Sequence, residues 1–201
     1  MANANRPTGL SPVSYLNGSP WNGQARAYSI AAAYTTALYI GDPVISSGTA
    51  DAGGVAGVVL AAATGPIRGV IVGFTDQPYG TGALVTNPNL TYRPAAAQDD
   101  VWYAMVVDDP NVIFRVQERS NGTAIAATDI GMNTVLYLAA GNGYVSGWLL
   151  ASATDAAPTT TATLQVRLLG LEQVHGNAFG AYAKHLVLIN AHELRVGQVG
   201  V

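Results

Sequence analysis

From Ala27 onward the chain is written in short apolar runs, each closed by turn-forming residues, and that rhythm permits strands and little else. Ala27-Tyr-Ser-Ile, Ala37-Leu-Tyr-Ile, Pro43-Val-Ile-Ser, Val55 to Leu60 and Gly69-Val-Ile-Val-Gly-Phe74 are β-branched or aromatic in character. Between them stand Gly41-Asp-Pro43, the stretch from Gly48 to Gly54, and Thr64-Gly-Pro66. Such residues interrupt a helix and suit tight turns. The spacing predicts a small barrel or sandwich.

After a Pro/Gly/Asn-rich connection from Gln77 to Pro94, a second set begins with Val101–Val107 and Val112–Glu118, joined by Asp108-Asp-Pro-Asn111. The joining residues suit a tight reversal, and the two runs predict a half-buried antiparallel hairpin. By the period-two rule Val112, Phe114 and Val116 share one face, while Arg115, Gln117 and Arg119 share or continue the other. Further strands are expected over 135–139, 144–151, 162–171 and 185–190, with a loop over 151–161. Helix is expected only as a turn or two over 94–99 and 178–185. The predicted fold class is therefore mainly β, with short antiparallel strands in a barrel and/or sandwich, an extended N-terminal arm and little helix. Residues 1–25 form the arm, 26–92 an N-terminal β region and 93–201 a C-terminal β region. The last two are separate domains or one continuous body.

In the arm, Pro7, Pro12 and Pro20 alternate with Gly9, Gly18 and Gly23, which excludes a helix or a long central strand. The arm also carries Leu10, Val13, Tyr15, Leu16 and Trp21. Large apolar side chains are scarce in disordered tails, so the arm is expected to dock on its own body or on a neighbour. These five residues are the candidate partner-binding anchors. Deleting residues 2–25 is expected to leave the β body folded.

Composition enters through the surface. Hydrophobic residues make up 49% of the chain and charged residues only 10%, against roughly a quarter in ordinary soluble domains. Charge alone cannot cover such a surface, so contact with other protein is expected over much of it. The longest uncharged stretch, Ile130 to Thr154, carries Asn133, Gly141, Asn142, Gly143, Ser146 and Gly147, which reads as strands and a turn rather than a membrane span. A net charge of −3 without a basic run gives no attraction to nucleic acid. The absence of cysteine excludes disulfides and thiol chemistry. Nothing near Met1 resembles a secretory signal, and the mature chain is expected to start at Met1 or Ala2.

Catalytic and metal motifs are weak. His175, His185 and His192 lack a ligand spacing and are read as surface or interface residues. Asp99-Asp100 and Asp108-Asp109 are adjacent, so their side chains diverge on a strand, and they are read as turn acids. Asp51 alone does not make a calcium loop. Gly143-Tyr-Val-Ser-Gly147 has its serine one place away from a nucleophile elbow, and Gly80-Thr-Gly82 lacks a phosphate-binding lysine. No catalytic residue, cofactor or metal is assigned.

Several segments resemble a family of capsid decoration, or head cement, proteins of podovirus-type tailed bacteriophages. They are Asn5 to Val13 with Tyr15-Leu-Asn-Gly18, Ile40-Gly-Asp-Pro-Val44, Arg68-Gly-Val-Ile-Val-Gly73, Val107-Asp-Asp-Pro-Asn111 with Phe114 to Glu118, and, near the C-terminus, Leu168-Leu-Gly-Leu171, Asn177 to Lys184 and Ile189 to Arg195. The resemblance implies a non-enzymatic virion protein, made in the bacterial host cytoplasm and placed on the outer surface of the capsid. Its implied partners are the major capsid protein and further copies of itself, as a homodimer or homotrimer joined through strand edges. A head fibre, a tail protein, or a carbohydrate-binding β domain using Trp102, Tyr103, Tyr144 and Trp148 stays open beside it.

Overall fold

The computed structural model describes residues 3–75, 90–97, 101–141 and 143–195. In chain order the strands are β1 (Ser11–Tyr15), β2 (Arg26–Ile30), β3 (Leu38–Tyr39), β4 (Pro43–Ala50), β5 (Ala56–Leu60), β6 (Gly69–Thr75) and β7 (Tyr92–Arg93). They continue as β8 (Trp102–Val107), β9 (Val112–Gln117), β10 (Asn133–Thr134), β11 (Leu136–Tyr137), β12 (Leu149–Leu150), β13 (Val166–Leu171) and β14 (Lys184–Ile189). The chain is mainly β, as its turn rhythm requires. The helix among the described residues is one 3-10 turn, Ala127–Asp129, and no described helix is long and apolar enough to cross a membrane.

Five strands close a barrel in the order β2-β5-β4-β6-β8, with β8 returning to β2. Its neighbours are antiparallel except β2 and β5, which run parallel through Ser29 and Gly57. Alternate residues point inward: Ile30, Val44, Val58, Ile71, Ala104 and Val106 fill the interior, with Tyr28 and Leu38. A second, open antiparallel sheet has the order β1-β9-β14-β13-β10. Val112, Phe114 and Val116 of β9 are buried together, the face the sequence assigned to them. They join Leu136, Trp148, Leu150, Leu168, Val187 and Ile189 in the larger core. Ile67, Val70 and Val107 extend that core to the barrel, and the strand that closes the barrel, β8, lies beyond the expected boundary at 92/93. The two β regions form one continuous packed body.

The expected hairpin of 101–107 with 112–118 does not form. Both neighbours of β8 are barrel strands, β2 and β6, while β9 lies between β1 and β14. The reversal itself is present: the Asp109 carboxylate accepts from Asn111 N–H at 2.8 Å and the Asp109 carbonyl from Val112 N–H at 3.1 Å. What separates the strands is Asp108, buried at the barrel rim and held by Tyr28 Oη–H at 2.6 Å and Arg26 Nη1 at 3.3 Å. The turn therefore becomes a corner between two sheets.

The possible helix at 178–185 is also absent. Asn3 holds residues 178–181 in an irregular bend, donating to the carbonyls of Ala178 and Ala181 and accepting from Ala178 N–H. Residues 94–97 are not helical, and 98–99 lie outside the described residues. The strand expected over 144–151 shortens to β12 because the chain before it is pressed against a neighbouring segment. A Cβ on Gly147 would lie 2.3 Å from the Ala140 carbonyl oxygen and 2.5 Å from that of Ala139.

Candidate functional site

The arm docks on its own body. Leu10 donates its backbone N–H to the Gly41 carbonyl at 2.9 Å and is 1% exposed inside the larger core. Its side chain is therefore not presented to a partner, and the same burial argues that residues 2–25 contribute to folding, against the expectation that the β body folds without them. Tyr15 and Trp21 are half-buried against that core. Val13 is 39% exposed and Leu16 50%, so two of the five proposed anchors present substantial apolar surface. Val13 sits at an irregularity in the β1–β9 register, between Pro12 and Ser14, which turns its side chain away from the core.

The outer edge of β1 is not open to strand addition along its length. Val13 O accepts from Trp21 N–H, Tyr15 N–H donates to Ser19 O, and Ser14 bridges Pro20. At the other end of the sheet, Asn133 of β10 exchanges backbone hydrogen bonds with Thr159 at 2.7 and 2.9 Å. Covered edges discourage edge-to-edge pairing. Self-association through these two edges would require displacing the chain's own segments.

Among the described residues the histidines and acids do not gather into a metal site. His185 and His192 are both fully buried, contrary to the surface reading, while His175 is exposed. His185 Nε2 lies 2.9 Å from Glu118 Oε2, and Glu118 Oε1 accepts from Ile125 N–H at 2.8 Å. His192 Nδ1 accepts from Leu194 N–H at 3.1 Å, and burial pulls its pKa down to about 4. Asp51 ties its turn together, accepting from Gly53 and Val55 N–H and from Tyr103 Oη–H. The Tyr103 bond leads the effects that hold its pKa below the usual carboxylate value. Asp99, Asp100, Gly80 and Gly82 lie outside the described residues. Among the described residues no group of three or more His, Cys, Asp or Glu side chains could hold a metal ion.

The four aromatic residues suggested for sugar stacking are dispersed. Trp102 meets Phe74 edge-on at the barrel, Tyr103 is tied to Asp51, and Trp148 is a core residue at 1% exposure. Tyr144, 70% exposed, belongs to a different constellation. Its ring stands edge-on to Tyr92 at 6.4 Å, and Tyr92 stacks on Tyr39 at 5.8 Å. Tyr39 lines a cavity of about 400 Å³ with Asp42, Trp148, Thr36, Leu60 and Leu138. Tyr39 N–H donates to Asp42 Oδ2 at 2.9 Å. Burial pushes the Asp42 carboxyl up to about 6, against the Ser146 hydroxyl and Tyr39 N–H, which favour its ionised form. Asp42 Oδ1 and Trp148 Nε1 are buried without a hydrogen-bond partner. Sequence reading took Asp42 for a turn residue of Gly41-Asp-Pro43. Only its hydrogen bond with distant Ser146 and the cavity it lines together with Trp148 set it apart, and no local pattern carries that signal.

Comparison with protein-family models, with curated proteins and with solved structures returns no match to this chain.

Proposed function

We propose that the chain is a non-enzymatic virion structural protein, a capsid decoration or cement subunit. It would lie on the outer surface of a phage head, bridge neighbouring major capsid subunits and assemble as a homodimer or homotrimer. The observation that carries this reading is the balance of its surface. Only 10% of residues are charged, and Asp42, Arg93, Asp108 and Glu118 are spent in the interior. Val13, Leu16, Leu138, Tyr144, Val174, Phe179 and Leu194 meanwhile keep 39–70% of their surface exposed. A subunit set between others needs little solubilising charge, and apolar side chains at several separate places suit several simultaneous contacts. The resemblance of the arm and corner segments to head cement proteins supports the same reading.

The test is co-sedimentation of the purified chain with phage heads stripped of decoration, followed by heating of the complex. Saturable binding at a fixed ratio to capsid protein, with restored heat resistance, is the expected outcome. Failure to bind both expanded and unexpanded heads would refute it.

A further inference from the structure

We propose that the hollow between the arm and the outer face of the five-stranded sheet is a binding site for a single oxyanion of the phosphate class. This does not depend on where the chain assembles. Arg6, Arg115 and Lys184 line this hollow of about 160 Å³, together with Thr8 and Gln117. The chain has only nine lysines and arginines in all, and these three come from separate segments: the arm, β9 and β14. The fold brings them together.

Strand register shows how. β14 runs antiparallel to β9, with Lys184 opposite Gln117 and Leu186 opposite Arg115. Val116 and His185, the residues between, are buried, so alternation sends Arg115, Gln117 and Lys184 to the outer face. Arg115 and Lys184 are then diagonal neighbours with Cβ atoms about 7–8 Å apart, a span that two long side chains can close over one ion. Arg6 is held at the same place by its backbone, whose N–H donates to Gln117 Oε1 at 2.7 Å, while Gln117 Nε2 donates to Asn5 Oδ1 at 2.9 Å. Asn177 fixes Lys184, accepting from its N–H at 2.9 Å and donating to its carbonyl at 2.8 Å.

Charge balance selects the ligand. Among the described residues Arg6 and Lys184 form no ion pair, and Arg115 gives one nitrogen, Nη1, to Glu172 at 3.4 Å. Three cations against that single carboxylate leave two positive charges uncompensated, and a dianion relieves their mutual repulsion. A phosphate group carries about −1.5 to −2 at neutral pH and three strong acceptor oxygens, which guanidinium groups meet with paired N–H donors. The Thr8 hydroxyl adds a further donor. A carboxylate brings only one charge, and a cation is repelled. The volume lies below the range of about 300–1,000 Å³ of sites for larger ligands, which limits the occupant to one small ion or group.

The site is tested on the full chain by titrating sodium phosphate, sodium sulfate and sodium acetate through about 1 mM and above. Ionic strength is held constant with sodium chloride, because salt screens exposed charges. Amide chemical shifts of Arg6, Thr8 and Gln117 report occupancy. Saturable shifts are expected with phosphate and sulfate, weakened at least about tenfold in Arg6→Gln combined with Lys184→Gln. Arg6 is exposed and Lys184 half-buried, so the double variant keeps the core intact. Lys184→Arg, which retains the charge, should bind as the parent does, and a loss there equal to that in Lys184→Gln would contradict a site built on charge. No saturable shift with either dianion would overturn the proposal. Parental affinity in the double variant would overturn it by placing the ion elsewhere, and acetate binding as tightly as phosphate would overturn it in favour of a carboxylate site.

Discussion

In the barrel every strand has two neighbours, and its inner cluster is made of aliphatic side chains with Tyr28 at the rim. The five-stranded sheet ends at β1 and β10, and irregular segments of the same chain cover both ends. Its surroundings also enclose charged and titratable groups, Glu118, His185 and His192, all fully buried. Closure removes edges by geometry, whereas an open sheet needs added segments to cover them. The difference shows why the arm belongs to the sheet: it supplies the edge strand β1, the 17–21 turn that covers it, and Leu10 for the core. Leu10 lies in the same cluster as Ile67, Val70 and Val107, and its N–H bonds the Gly41 carbonyl, so the arm also ties the sheet to the barrel.

The largest expected effect falls on the buried polar centre of the sheet. Glu118→Ala leaves His185 Nε2 and Ile125 N–H without their partner and should cost about 3–5 kcal/mol. Urea unfolding measures it, and a loss under about 1 kcal/mol would show that the pair is not integral to the sheet. Next comes the arm. Leu10→Ala should cost about 2–5 kcal/mol, the range for a core leucine. A near-neutral result would mean that the arm only lies on the surface and contributes little to the shared core.

The third prediction sets the two regions against each other by pH. His192, beside the sheet, sits at about 4 in the folded chain against about 6.5 when unfolded. Above about pH 6.5 it is neutral in both states and contributes nothing. Below that, the unfolded chain binds a proton that the folded chain refuses. Stability then falls by about 1.4 kcal/mol per pH unit, levelling near pH 4. Asp42, at the start of the barrel, sits at about 6 against about 3.9 unfolded. Above pH 6 it is ionised in both states. Between there and about pH 4 the folded chain takes the proton first, so stability rises with similar slope. The two effects oppose each other between pH 6 and 4. Asp42→Asn should therefore steepen the loss of stability on acidification and His192→Gln should flatten it, measured by urea unfolding at about pH 7, 5.5 and 4.5. Parallel profiles for both variants and the parent would contradict the burial assigned to these groups.

The smallest effect on folding is expected at the exposed arm residues. Val13→Ser combined with Leu16→Ser should change stability by no more than about 0.5 kcal/mol per site, while weakening attachment to stripped heads. Unchanged attachment would remove these two side chains from the proposed interface.

Much of the strand content could be read from the sequence because it is local. The alternation of Val112, Phe114 and Val116 and the turn chemistry of Asp109 both appear as the residues dictate. Strand partnership was not legible, because it is settled by contacts across the chain. A tight turn between two strong strands reads as a hairpin, yet Tyr28 and Arg26 hold Asp108 at the barrel while the arm and β14 occupy both sides of β9. The burial of His185 likewise depends on Glu118, brought close only by the pairing of β9 with β14. The arm was legible in its punctuation and its apolar residues. Which of those residues point inward was not, because the β1 register shifts between Pro12 and Ser14. The Asp42 cavity was invisible for the same reason as the hairpin error: its walls come from separated segments.

Whether arm and body form one cooperative unit is tested most directly by native-state hydrogen exchange at two amides. Leu10 N–H, bonded to the Gly41 carbonyl at 2.9 Å, and Leu16 N–H, bonded to the Asn111 carbonyl at 2.9 Å, tie the arm to the barrel root and to the β8–β9 corner. Both are expected to exchange only through the global opening that also releases β9 and β14, with the same dependence on denaturant. Fast, denaturant-independent exchange at Leu10 and Leu16 beside slow exchange in β9 and β14 would show a detachable arm and contradict the shared core.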